Sequence, residues 1–180
     1  MRILNPLIIV FGVALSWFCL DVLNKNFFQF LQVNDFLYSI YWLSGIRLIA
    51  IILFGWLGAL GLFVGYICGG ILIRGFSVEA AISLGALSAL APLLAFTLWE
   101  KITGLSRDFK GVSIGNLLLL VLLHSSFTAV FRTSYFYFIS EPKGLSYVVS
   151  VFMANLVGST LLLYALKLMH SAYKFFVRPT

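Results

Sequence analysis

Between Phe36 and Ile73 the chain runs without an acidic residue and with one basic residue, Arg47, through an otherwise apolar stretch. As a single helix this run would be about 60 Å long, twice the thickness of a hydrocarbon core. It must therefore fold back once. The turn is expected at Gly55, Trp56, Leu57 and Gly58, where two glycines relax the backbone and the tryptophan can sit at headgroup level.

Arg47 is then the costly residue. A guanidinium at mid-bilayer depth costs at least about 2.5 kcal/mol, so it must pair, face water or reach a headgroup. Ser44 and Gly45 offer a helix break just before it, which would put Arg47 in a first helical turn beside unsatisfied amides that attract an anion. Its available acidic partners are Asp21, Asp35 and Glu79, all near span ends. Snorkelling to the interface for structural reasons competes on equal footing with function.

The remaining sequence belongs to the same class. Hydrophobic residues make up 62% and charged residues 10% of the chain, with a mean hydropathy of +1.06, whereas soluble domains are about 25% charged. These values exclude an ordinary water-soluble core and point to an all-α, polytopic integral membrane bundle of about six transmembrane helices. The spans are expected at about 6–23, 37–54, 57–73, 78–98, 112–135 and 145–168, in one transmembrane domain followed by a short basic cytoplasmic tail, 170–180. Pro92 is expected to kink the fourth span.

Positive charge sets the orientation. With a cytoplasmic N-terminus, Arg2, Lys101, Arg107, Lys110, Lys167, Lys174 and Arg178 fall on one side and Lys25, Arg74 and Lys143 on the other, a bias of seven to three. Both termini are therefore expected inside, in a bacterial inner membrane. The basic tail suits anionic lipid better than nucleic acid. Cys19 and Cys68 have no neighbouring ligand residues and are expected as buried thiols, not as a disulfide or metal site. Trp17 and Phe18 before Cys19 speak against a lipoprotein cleavage site, and no small-residue pair marks a cleavable signal.

Three patterns carry chemistry. Gly61, Gly65 and Gly69 place a glycine on one face of the third span at every fourth position, which lets another helix approach at backbone contact. That face would pack within the bundle, meet a protein partner or second copy, or line a passage. On the fifth span His124, Thr128, Arg132 and Tyr135 share one face and could hold a carboxylate or phosphate. On the sixth, Asn155, Gly158 and Ser159 form a small, polar packing face.

No carboxylate is expected at the centre of a span, which argues against a proton- or sodium-driven carrier and makes any internal ligand anionic. Arg47, His124, Arg132 and Thr128 are the candidate binding residues. No catalytic residue, metal ligand or cofactor is expected: Ser125 and Ser126 follow His124 directly, but adjacent helical positions diverge and no acid orients the histidine. Nucleotide-binding and zinc-protease signatures are absent.

Trp42, Gly45, Gly55 and Gly65, within WLSGIRLIAIILFGWLGALGLFVG, resemble the membrane-associated sensor domain (MASE-type) family, and Ala154 to Gly158 resembles its closing helix. The resemblance implies a non-enzymatic, sensor-like unit receiving a small-molecule or membrane signal. Ser44 stands where that family has proline, and the kinase, phosphatase or cyclic-nucleotide output domain is missing, so a separate partner would carry the signal. Two alternatives come from other classes. In size and architecture the chain is similar to the substrate-binding membrane subunits of energy-coupling-factor vitamin transporters, whose small-residue stripe on the first span would correspond to Gly12 and Ser16; a structural subunit of a membrane complex is the third.

Overall fold

The computed structural model describes residues 5–34, 37–105, 112–139, 141 and 143–177, with side chains through residue 165 except that of residue 34. Asp35, Arg2, Arg107, Lys110 and Arg178, and the side chains of Lys167 and Lys174, lie outside the described residues.

Helix α1 spans Pro6–Phe27. Asn5 caps it by accepting from the Leu7 amide at 3.1 Å, and proline occupies its first turn, where no helical N–H partner is needed. A short 3₁₀ turn and two small antiparallel strands follow, β1 (Gln32–Asn34) and β2 (Leu37–Tyr38). Then come α2 (Leu43–Phe54), α3 (Trp56–Leu72), α4 (Val78–Thr103), α5 (Ile114–Phe138) and α6 (Leu145–Val177). Four of these, α1, α4, α5 and the Leu145–Ala165 part of α6, are long and apolar enough to cross a membrane. Their outward faces carry side chains such as Leu7, Phe11, Leu118 and Leu161 and fit contact with lipid.

The fold-back falls where the glycines placed it. Gly55 has φ of 58°, a conformation that other residues rarely adopt, and Trp56 behind it is exposed. A Cβ on Gly58 would run into the Ala50 carbonyl, so α2 and α3 leave the turn in backbone contact.

The second span differs from expectation. Its first third is strand and turn, and α2 is a helix of only 12 residues, about 18 Å long against a core of about 30 Å. It starts at Leu43, one residue before the anticipated break. Leu37 instead wedges the hairpin between Ala129 of α5 and Val151 of α6. The hairpin and the descending residues Ser39–Trp42 thus fill the space above a half-length helix. Irregular backbone at such depth is tolerated only inside protein, and here it is bonded: the Tyr41 amide donates to the Ala154 carbonyl at 3.1 Å.

The glycine face of α3 packs on α1. A Cβ on Gly61 would meet Val13, one on Gly65 would meet Ala14 and Trp17, and one on Gly69 would meet the Asp21 carboxylate. The offset of 48 residues recurs at 13/61, 17/65, 21/69 and 25/73, where Lys25 Nζ donates to the Ile73 carbonyl. The two helices therefore run parallel in fixed register. Of the uses expected for this face, packing within the bundle is the one seen: α1 occupies it.

Helices α3 to α6 then follow as antiparallel neighbours, and α2 lies among α1, α3, α4 and α6. The core centres on Trp17, Leu48, Ile51, Leu62, Phe96 and Trp99. Three further expectations change. Helix α1 runs on to Phe27 instead of closing at Leu23, so Asp21 sits inside it, 3% exposed, and a carboxylate does lie within the bundle. Cys19 and Cys68 are free thiols but exposed on the outer surface, not buried. Helix α6 continues to Val177 where a separate tail was expected. Helix α4 is continuous through Pro92.

Candidate functional site

The start of α2 is fastened before any ligand is considered. Trp42 Nε1 donates to Asn24 Oδ1 of α1 at 2.7 Å. On the other side Gly158 of α6 lies so close to the Tyr41 carbonyl that a Cβ there would overlap it. The first helical amides bond back to this entering segment, Ser44 N to Tyr41 O at 3.0 Å and Gly45 N to Trp42 O at 3.2 Å.

The first turn is polar and buried. Ser44 Oγ lies 3.0 Å from His124 Nε2 and 2.7 Å from Ser159 Oγ. Arg47, one turn on, is 3% exposed. Its Nη2 donates to Asn155 Oδ1 at 2.6 Å and its Nη1 to Ser88 Oγ at 3.4 Å, with Cζ 5.3 Å from the centre of the Tyr41 ring. Asn155 is held in place because its amide donates to the Val151 carbonyl at 2.7 Å, which leaves its oxygen for the guanidinium. Ser88 is four residues before Pro92, which has no N–H to offer the Ser88 carbonyl. Among the described residues Arg47 has neutral partners only. The acids considered for it go elsewhere: Asp21 pairs with Arg74, Glu79 is exposed at the start of α4, and Asp35 lies outside the described residues.

Arg132 joins from α5. It lies beside the Tyr66 hydroxyl, to which Arg74 Nη1 donates at 3.2 Å. Arg74 Nη2 pairs with Asp21 Oδ1, and its Cζ stands 5.2 Å from the Tyr66 ring centre. Tyr66 is in turn stacked on Trp17 at 6.4 Å. Arg47, Arg74 and Arg132 lie within electrostatic reach of one another and of Tyr41 and Tyr66. Burial works against the charge on Arg74, but Tyr66, Tyr41 and Asp21 outweigh it and hold the group above its ordinary value. Among the described residues, Asp21 is the carboxylate set against these three guanidiniums.

Several buried polar atoms in and around this cluster have no partner: Arg47 Nε, His124 Nδ1, Ser125 Oγ, Thr128 Oγ1 and the Tyr147 hydroxyl. Each such group costs about 1–3 kcal/mol unless something pairs with it. Among them Arg47 Nε can only donate, and the hydroxyls can turn to donate or accept, a set that could meet an anion. Toward hydrolysis it offers less, since no carboxylate bonds His124 Nδ1 and Ser44 is shared with Ser159. No group of three metal-ligating side chains occurs among the described residues.

At the C-terminal ends of α1 and α3 a small polar cavity of about 80 Å³ is lined by Lys25, Gln32, Tyr38, Arg74 and Phe76.

The polar stripe on α5 was visible from its spacing, and the structure buries His124 and Thr128 together. Sequence reasoning missed Ser88, Tyr41, Tyr66 and the Asp21–Arg74 pair; it read Asn155 and Ser159 as a face for interhelical hydrogen bonds, which they make, but not as the partner of Arg47. The lone asparagine in an apolar span was the one available signal for a partner to a buried charge. Comparison of the chain with protein-family models, curated proteins and solved structures gives no match.

Proposed function

We propose that this chain is a non-enzymatic, sensor-like membrane receptor that takes a small anionic molecule inside its bundle, between Arg47 and Arg132 and beside Thr128 and His124. The observation that carries the reading is the gathering of Arg47, Arg74 and Arg132 about Tyr41 and Tyr66 against the one carboxylate of Asp21. Intramembrane charges of this kind are rare and usually mark a ligand or ion path. In this reading the chain lies in a bacterial inner membrane, crosses it six times with both termini cytoplasmic, as its positive charges favour, and passes its signal to a separate protein, as the resemblance to membrane-associated sensor domains implies.

A second reading is favoured by α2. Half-length helices that begin inside a bundle are a feature of carriers, where their N-terminal ends face anionic substrates, so the substrate-binding subunit of a small-molecule transporter follows as the alternative. The structural-subunit reading loses its proposed contact surface, because α1 covers the glycine face of α3.

The test is anion binding by the purified chain in nanodiscs, with Arg132→Gln and Arg47→Gln compared at equal folded yield. Binding that weakens at least tenfold in both variants supports the receptor. Unchanged affinity in folded variants would leave the arginines a structural role. Uptake of the bound anion into proteoliposomes by the chain and a co-reconstituted ATPase would favour the transporter reading.

A further inference from the structure

The geometry points to the cavity between Lys25, Gln32, Tyr38, Arg74 and Phe76 as an outer station that binds one compact oxyanion, a phosphate or carboxylate group, before it reaches the inner arginines. The inference rests on the receptor reading and names where its ligand first docks.

Size sets the first limit. About 80 Å³ is several times the roughly 10–15 Å³ that one water needs, which gives room for one compact oxyanion.

Chemistry sets the second. Lys25 spends one N–H on the Ile73 carbonyl and has two more. Arg74 gives one N–H to Asp21 and one to Tyr66, and of its five donors the other three are left for an oxyanion. Tyr38 lines the cavity with a phenol hydroxyl that can donate. Among the described residues Lys25 and Arg74 together outweigh Asp21 by one positive charge, the balance an anion would neutralise.

Connection inward is the third argument. Arg74 and Arg132 both lie beside the Tyr66 hydroxyl, and Arg132 lies within electrostatic reach of Tyr41, over which Arg47 stands. An anion held by Arg74 is therefore one tyrosine away from the inner arginine on α5. Gln32 and Tyr38 come from the β-hairpin that covers the start of α2, so an occupied station would tie that hairpin to α1 and α3.

The experiment uses the full chain in nanodiscs of zwitterionic lipid, titrated with inorganic phosphate and with acetate at constant ionic strength, and read by calorimetry. Saturable binding is expected, weakened at least tenfold in Lys25→Gln and in Arg74→Lys, which keeps the charge beside Asp21 but loses the guanidinium fork. Arg132→Gln should leave this first binding event within threefold while abolishing any second one; that pattern upholds the station whether or not the inner receptor reading stands. A parallel arm uses nanodiscs containing anionic phospholipid. Suppression of phosphate binding there, with one lipid retained on the wild type and lost from Lys25→Gln in native mass spectrometry, identifies the oxyanion as a headgroup. Binding unaffected by anionic lipid identifies a free solute. Absence of saturable binding in both bilayers, or binding indifferent to Lys25→Gln and Arg74→Lys, overturns the proposal. Should Arg74→Lys fail to fold, Lys25→Gln alone decides, because its exposed ammonium is not part of the core.

Discussion

Two helix contacts in this bundle use glycine in the same way and then diverge. Where α3 meets α1, Gly61, Gly65 and Gly69 admit the neighbouring helix at backbone distance, the surrounding side chains are apolar, and the ion pair of Asp21 with Arg74 sits near the C-terminal ends of the two helices. Where α6 meets the start of α2, Gly158 admits the Tyr41 carbonyl and Gly45 faces Leu162 and Ser159, but the side chains beside them are Ser44, Arg47, Asn155 and Ser159. The first contact packs two complete helices in one register. The second places a charge with neutral partners at the beginning of a half-length helix. Within lipid, helices are held by close packing and by hydrogen bonds between them; the first contact relies on packing, while the second adds a buried guanidinium, a charge that a packing contact does not need.

The sharpest way to break the comparison is Gly158→Val. The obstacle to a Cβ there is the Tyr41 carbonyl, and backbone cannot swing aside as a side chain would. The descending segment, its bond to Ala154 and the start of α2 should all shift, at a cost at or above the top of the usual range of about 1–3 kcal/mol for overpacking. The measurement is folded yield and unfolding midpoint in detergent. Gly85→Ala, whose Cβ would make only ordinary contacts at 3.4 Å with Phe63 and Ile67, is the matched control and should remain near wild type. Equal behaviour of the two variants would show that the α2 start is not held as described.

Asn155 separates stability from function at the second contact. Asn155→Ala leaves the Arg47 guanidinium without its shortest bond and should cost about 2 kcal/mol, in the range for hydrogen bonds to charged groups. Asn155→Asp should behave differently, because a carboxylate at the same place pairs with Arg47 and neutralises it. That variant is expected to keep its unfolding midpoint near or above wild type while anion binding falls at least tenfold. A folded Asn155→Asp that binds anions as well as wild type would mean that the charge on Arg47 is not what a ligand reads.

The difference between the two contacts was only partly legible in the sequence. The turn at Gly55 could be read because a run of this length must reverse and glycine is the residue that permits φ of 58°. The stripe of His124, Thr128 and Arg132 could be read because helical spacing alone puts these residues on one face. The half-helix could not, since Leu37, Tyr38, Ile40 and Tyr41 are as apolar as helix in a hydropathy profile, and what keeps them irregular is the Ala154 carbonyl and the gap at Gly158. The Asp21–Arg74 pair was hidden for a similar reason. It depends on α1 and α3 lying parallel with an offset of 48 residues, a tertiary fact that neither helix carries alone. The cysteines misled because apolar residues inside lipid need not be inside protein.

The smallest expected effect tests the first contact from its open side. Gly12 of α1 is a glycine like those of α3, but a Cβ there would find nothing within 4 Å. It lines an apolar groove of about 380 Å³ with Ile8, Ser16, Trp17, Ile49 and Leu53. Gly12→Ala should therefore leave the unfolding midpoint unchanged or raise it slightly, by up to about 1 kcal/mol, because alanine favours helix over glycine and loses no contact. Gly61, which faces α1 from α3, is the opposite case: a Cβ there would come within 2.6 Å of Val13 Cβ, so Gly61→Ala should lower the midpoint. If Gly12→Ala were as damaging as Gly61→Ala, the groove beside α1 would have to be closed by something other than lipid. If both were harmless, the fixed register of α1 on α3 would not depend on backbone approach, and the distinction between a packed contact and a functional one would lose its first half.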